Sequence, residues 1–230
     1  MAKKESPKER LPVKDDLEAF KAEAPPSKLA GLSSHAFSII KLLLGISFLP
    51  FIYSSTVSFF GEFSLIEKAL QNTFWSGLIT LLIIYLFVWE PTIIYIKGSR
   101  LLELIFSFFR PMVRVAPYLL PIYTIILFLL YGVLTFFSKS GALISALIFL
   151  TGSSSAFHLI FSAKSIRSKQ KDFLKANYLF GFSLVYIINL FLLSFCFNLI
   201  FEKFSFVNFS NNTWQAGSSV FNAIFKQLFL

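Results

Sequence analysis

Five long, nearly uncharged apolar stretches decide what this chain folds into. They run over residues 36–60, 73–96, 116–137, 141–163 and 178–201. At 1.5 Å per residue, each is long enough as a helix to cross the ~30 Å hydrocarbon layer of a bilayer. The stretches do not alternate polar and apolar residues, so they do not read as strands. In lipid the backbone must satisfy its own hydrogen bonds, which leaves helices. Composition agrees: 56% of the 230 residues are hydrophobic, with 31 Phe and a mean hydropathy of +0.71. A soluble domain of this size cannot hide that much apolar surface. The expected fold is all-α: a polytopic membrane helix bundle of five transmembrane helices.

The net charge of +9 does not point to nucleic acid. The cations sit in short segments between apolar stretches, where membrane insertion and lipid headgroups account for them. Seven Lys and Arg precede the first stretch, and Lys68 alone follows it. Lys97, Arg100, Arg110 and Arg114 come next, then Lys139 alone. Lys164, Arg167, Lys169, Lys171 and Lys175 follow, and Lys203 and Lys226 close the chain. High and low counts alternate at every crossing, as the positive-inside rule requires of five spans entering from the cytoplasm. The N-terminus is therefore expected in the cytoplasm and the C-terminus outside, in a membrane of the bacterial inner-membrane type. The first apolar stretch follows a charged tail and reads as a retained span rather than a cleaved signal.

Three regions follow. Residues 1–35 carry dense mixed charge broken by Pro7, Pro12, Pro25 and Pro26. They bury too little apolar area to offset ordering entropy, so a disordered cytoplasmic tail is expected, with room for a short helix near Lys14–Ala24. Residues 36–201 form the transmembrane domain, and residues 202–230 an extracytoplasmic segment. Two amphipathic helices are expected to lie on the membrane surface. In Ser99–Arg110, Arg100, Glu103, Ser107 and Arg110 oppose Leu101, Leu102, Ile105, Phe108 and Phe109. In Trp214–Leu230, Gln215, Ser219, Asn222, Lys226 and Gln227 oppose Trp214, Val220, Phe221, Ile224, Phe225, Leu228 and Phe229.

The fourth span carries the most information. Gly141, Ser145, Gly152, Ala156 and Ala163 share one helical face within ~60°, a packing stripe that lets a neighbouring backbone approach. Thr151, Ser154, His158 and Ser162 form a polar face more than ~100° away. Leu143, Leu150, Phe157 and Phe161 suit lipid or Phe-rich neighbours. Asn189, near the middle of the fifth span, is a further candidate for the polar face.

Lys41, Glu90 and His158 are the ionisable residues within the spans, and such residues are rare there. The expected topology places all three roughly 8–9 Å below the cytoplasmic surface. They are the candidate intramembrane polar cluster. The competing reading is that Lys41 and Glu90 reach back to the headgroups. Pro91 frees the carbonyl of Phe87 and is expected to kink the second span beside Glu90.

Several chemistries have no support in the residues. His35 and His158 alone do not build a zinc site, and neither a His-Glu-x-x-His helix nor a Gly-rich phosphate loop is present. Gly152-Ser-Ser-Ser-Ala lacks the second glycine of a nucleophile elbow. No catalytic residue, metal or cofactor is assigned, and the balance is against an enzyme. Cys196, inside a span, is the chain's one cysteine, so an intrachain disulfide is excluded. Asn208-Phe-Ser and Asn211-Asn-Thr match glycosylation sequons. The expected function is a non-catalytic scaffold or accessory subunit of a membrane assembly. Its partners are the bilayer and other membrane proteins or further copies of itself, with the tail, the basic 164–177 loop and the terminal helix as contact surfaces. The alternative is a small oligomeric transporter or channel using the polar face of the fourth span.

Overall fold

A computed structural model describes residues 28–136, 140–168 and 178–229. Most of the expected tail, the turn at Lys139 and the basic loop over 169–177 lie outside the described residues. Among the described residues, every regular element is helical. The helices are α1 (Lys28–Phe63), α2 (Lys68–Ile83), α3 (Thr92–Ile105), α4 (Arg110–Leu119), α5 (Ile122–Leu134), α6 (Gly141–Ser168), α7 (Tyr178–Ile200) and α8 (Phe206–Phe229). Residues 1–40 and 41–230 fall into two units, and the packing described below belongs to the second.

Four helical stretches are long and apolar enough to cross a membrane: Ala36–Phe63, Lys68–Val88, Gly141–Arg167 and Tyr178–Ile200. These make the chain a multi-pass membrane protein. The expected third span takes a different form. It is divided into α4 and α5 at Leu120 and Pro121, because Pro121 offers no N–H to continue the ladder. With 13 residues, α5 alone is ~20 Å long.

The expected second span, 73–96, also changes. Its helix starts at Lys68 and ends in a single π turn over Ile84–Val88, closed by Trp89 N–H donating to the Ile84 carbonyl at 2.9 Å. Trp89 is extended (φ −163°, ψ 142°), and Pro91 starts a new direction. Pro91 therefore breaks the helix rather than kinking it. Residues 92–96 belong to α3, which was expected to start at Ser99 and reach Arg110. Instead α3 ends at Ile105, and Arg110 opens α4. On α3 only Gly98 and Leu102 are buried, while Phe108 and Phe109 beyond its end are exposed.

An aromatic core ties α1, α2, α6, α7 and the start of α8 together. Phe59, Phe63, Phe74, Ile148, Leu193, Phe197, Phe204 and Phe209 are all buried in it. The ring of Phe197 meets those of Phe63 at 5.7 Å, Phe74 at 5.9 Å and Phe204 at 5.8 Å. Edge-to-face and offset pairs of this kind add about 0.5–1.5 kcal/mol each beyond burial. Lower down, α1 and α7 run side by side, with Phe48 stacked on Phe180 and Thr56 Oγ1 2.9 Å from the Tyr186 hydroxyl.

Helix α8 does not lie across the end of the bundle. Its first turn sits beside Glu62, whose carboxylate accepts the Ser205 N–H at 2.9 Å. From there it runs back along α7 and α1. Phe209 meets Phe191, while Trp214, Gly217 and Phe221 reach Phe51. Its buried face is Phe209, Thr213 and Gly217. Trp214 and Phe225, expected on the docked face, are 66% and 60% exposed. The interfacial placement is thus corrected: a helix lying across the bundle end would not meet Phe51, eleven residues along α1 from Glu62.

Candidate functional site

The break between α4 and α5 organises the polar interior. Pro121 cannot donate to the carbonyl of Pro117, and the Ile122 N–H turns instead to Leu120 at 2.9 Å. Three carbonyls at the end of α4 therefore lose their helical donors, a cost that neighbouring helices offset. The Tyr95 hydroxyl donates to the Pro117 carbonyl at 3.3 Å. Ser162 Oγ donates to the Tyr118 carbonyl at 3.1 Å. The His158 imidazole faces the carbonyls of Leu119 and Tyr118. His158 is 5% exposed and its Nε2 has no hydrogen-bond partner. This arrangement accounts for an imidazole inside an apolar helix: it serves freed backbone groups.

The other polar residues of the fourth long helix also look across to neighbours. Ser154 Oγ lies 2.8 Å from Thr124 Oγ1, joining α6 to α5. Ser153 Oγ donates to the Gly77 carbonyl at 2.8 Å, joining α6 to α2. Thr151 and Asn189 are fully buried, and Thr151 Oγ1 and Asn189 Nδ2 have no partner. Ser155 on α6 and Ser183 and Ser194 on α7 likewise carry unpartnered buried hydroxyls. A cavity of about 10 Å³ beside Tyr95, Ser99, Ser154 and His158 has room for about one water molecule. Among the described residues, no three His, Cys, Asp or Glu side chains are grouped to hold a metal ion.

The expected cluster of Lys41, Glu90 and His158 takes a different form. Glu90 is exposed, and its carboxylate partners are Lys164 Nζ and Thr92 Oγ1, the latter at 2.9 Å. Lys41 and His158 are both buried at 5% exposure. Glu90 lies beyond the Lys68–Val88 stretch. The hydrogen bond from Lys164, then that from Thr92, holds its carboxyl below the usual glutamate range. Lys164 was counted in a cytoplasmic loop, and nothing in its sequence position marks it as the partner of Glu90.

The small-residue stripe divides along its length. Gly152 is pressed against α2, whereas Gly141 faces open space. Ala156 is buried, and Ser145 and Ala163 are half-buried. Phe157 and Phe161 are buried rather than lipid-facing. Their rings meet Tyr95 and Tyr123, with Phe161 stacked on Tyr95 at 5.1 Å. Leu150, on the same predicted face, is 46% exposed.

Glu62 is a buried carboxylate that nothing in its sequence position singles out. It falls two residues beyond the expected end of the first span. The structure buries it to 7% exposure and uses it to hold the first turn of α8. Ser205 beside it also caps α8, its Oγ accepting the Asn208 N–H at 3.2 Å. The S-x-x-N spacing is a local cap signal that was available from sequence.

Some interior polar groups thus engage helix backbones and one another, others stay unpartnered, and α8 carries a run of exposed polar residues. Asn208, Asn211, Asn212, Gln215, Ser219, Asn222 and Lys226 are all exposed along its 24 residues. No protein-family model, curated protein or solved structure matches this chain.

Proposed function

We propose that this chain is a non-catalytic subunit of a membrane assembly, and that α8 is the element that joins it to the rest. The N-terminus lies in the cytoplasm, five crossings follow with α4 and α5 together forming the third, and α8 starts on the outer side. Because α8 then runs back along α1 and α7, its C-terminus returns toward the cytoplasm, in place of the extracytoplasmic end read from sequence.

One observation carries the reading. The outward side of α8 carries the amides Asn208, Asn211, Gln215 and Asn222, among exposed apolar side chains such as Trp214 and Phe225, at the depth where its neighbours are apolar. Phe195, which meets Phe206 at the start of α8, and Leu199, both on α7, are exposed. An amide without a partner in an apolar medium costs roughly 2–7 kcal/mol. Four such amides would cost on the order of 10 kcal/mol, comparable to the whole stability of a typical domain. Lipid is a poor cover for that face, and a polar surface of another polypeptide is a good one. The transporter alternative has less support, since Thr151, Ser154, His158 and Ser162 on the polar face of α6 are all buried against neighbouring helices.

The test is the size of the complex extracted in mild detergent. Replacing Asn208, Gln215 and Asn222 together by Leu should release the chain from its complex and leave its own fold intact. An unchanged complex with the triple variant rejects the reading. Orientation is tested by cysteine labelling: positions 68 and 203 should react from outside, and position 99 should not.

A further inference from the structure

The break between α2 and α3 leaves a groove. The single π turn over Ile84–Val88 ends α2 and Trp89 is extended, and a gap of about 420 Å³ opens there between α2, α3, α5 and α6. That volume lies in the ~300–1,000 Å³ range of pockets that take small molecules. Ile84, Trp89, Pro91, Ile94, Ile126 and Leu150 are among its walls. Ile84 and Leu150 belong to membrane-crossing stretches, and Trp89, Ile94, Ile126 and Leu150 are exposed, so the groove opens on hydrocarbon. Its rim is charged. Glu90 stands in the chain between the lining residues Trp89 and Pro91, and Lys164 is paired with it. Lys164 and Thr92 both donate to Oε1 of Glu90. Among the described residues, Oε2 accepts no hydrogen bond, and Lys164 Nζ gives only one of its three protons. Both side chains are exposed.

We propose that this groove binds one zwitterionic phospholipid with a primary-amine headgroup, an acyl chain lying in the groove and the headgroup spanning the Glu90–Lys164 pair. The lipid phosphate takes the remaining protons of Lys164, and the lipid ammonium donates to Glu90 Oε2. Depth and charge select this occupant. Leu150 and Lys164 are fourteen residues apart on α6. That is ~21 Å of helix, about half of the ~40–45 Å that a bilayer spans with its headgroups. A chain seated beside Leu150 therefore brings its headgroup to the level of Lys164. Trp89, at the rim, is a residue type that gathers at that level. The pair presents one charge of each sign. An anionic headgroup would leave Glu90 facing like charge, and a quaternary ammonium has no N–H to give it. A phosphate followed by a primary ammonium complements both partners. Such a site needs only that the chain spans a membrane, so it stands whether or not α8 joins a complex.

The test uses the full chain in phosphatidylcholine vesicles that contain a little phosphatidylethanolamine with a diazirine in its acyl chain. After irradiation, adducts should concentrate on residues 89–94, 126–127 and 150–157. Unlabelled phosphatidylethanolamine should suppress them at several-fold lower content than phosphatidylglycerol. Ile126→Trp fills the groove and should cut the adducts several-fold. Leu129→Trp, exposed on the same helix outside the groove, should leave them unchanged. Glu90→Gln should keep the labelling and abolish the preference for the amine headgroup. Adducts spread evenly over the exposed apolar faces overturn the site, as does unchanged groove labelling in Ile126→Trp. Equal suppression by the two competitors, or a preference retained in Glu90→Gln, overturns the assigned occupant. The competition runs on the wild-type chain, so a variant that fails to fold leaves the test standing.

Discussion

Gly152 rests on the carbonyl oxygen of Phe74. A Cβ at Gly152 would lie 2.1 Å from that oxygen, and a Cβ at Gly77 would lie 2.0 Å from the carbonyl oxygen of Phe149. The two glycines bring α2 and α6 into backbone contact, and the Ser153 hydroxyl, bonded to the Gly77 carbonyl, sits in the same contact.

Gly152→Ala and Gly77→Ala should each destabilise the protein by about 1–3 kcal/mol, since backbone rather than flexible side chain must move. Gly132 has no atom within 4 Å of an added Cβ, so Gly132→Ala should be neutral or stabilising by up to ~1 kcal/mol through helix propensity. Thermal unfolding in detergent compares the three. Equal behaviour would contradict the close contact.

Glu62→Ala should loosen α8 more than it loosens the rest of the molecule. It removes a hydrogen bond to a charged acceptor, worth about 1.5–3 kcal/mol. Ser205→Ala removes the cap on Asn208 and should cost about 1 kcal/mol. Hydrogen exchange over residues 206–212 is the readout: protection there should fall first, while α2 and α6 remain protected.

Thr124→Val should have a small effect. It deletes the bond to Ser154 between α5 and α6, and interhelical bonds in membranes average about 0.6 kcal/mol with a maximum near ~1.7. Ser154 keeps its 3.2 Å bond to the Thr151 carbonyl, so the remaining hydroxyl is not orphaned. A loss well above that maximum would mean Thr124 does more than join two helices.

Glu90→Gln should lower the unfolding midpoint at neutral pH by a small but measurable amount, because both Glu90 and Lys164 are exposed. Its signature is pH dependence. The Glu90 carboxyl is held below its usual range, so the folded state gains from the ionised form above the unfolded-state value and loses that gain as pH falls through the folded-state value. The wild-type chain should therefore show an acid-side loss of stability that Glu90→Gln lacks, measurable by unfolding across pH 3–6 (about the glutamate range). Identical acid profiles would remove the pair from any role.

The helical class and four long apolar helices were legible in the sequence, because hydrophobic length alone decides whether a helix can cross lipid. Local chemistry also marked Pro91, as a kink where the structure has a break, the small residues at Gly152 and Ala156, and the rarity of His158. Pro121 stood in the sequence within an expected span, yet the division of that span into α4 and α5 was not read from it. A proline inside an apolar run specifies a lost hydrogen bond, but not whether the helix bends or stops.

Tertiary structure alone decided who meets whom. Glu90 meets Lys164 rather than Lys41 or His158, since residues at one depth still lie on different helices and faces. His158 serves the carbonyls freed at the end of α4, a need that arises only once Pro121 stops that helix. Helix α8 shows the same limit most plainly. Its amphipathic pattern is equally compatible with a flat position on the membrane and with packing lengthwise on α1 and α7. Periodicity records that two faces differ; it contains no information on what covers either one. The contacts of Phe209 with Phe191 and of Gly217 with Phe51 assign the buried face, because packing those side chains requires neighbours that lie far away in the chain.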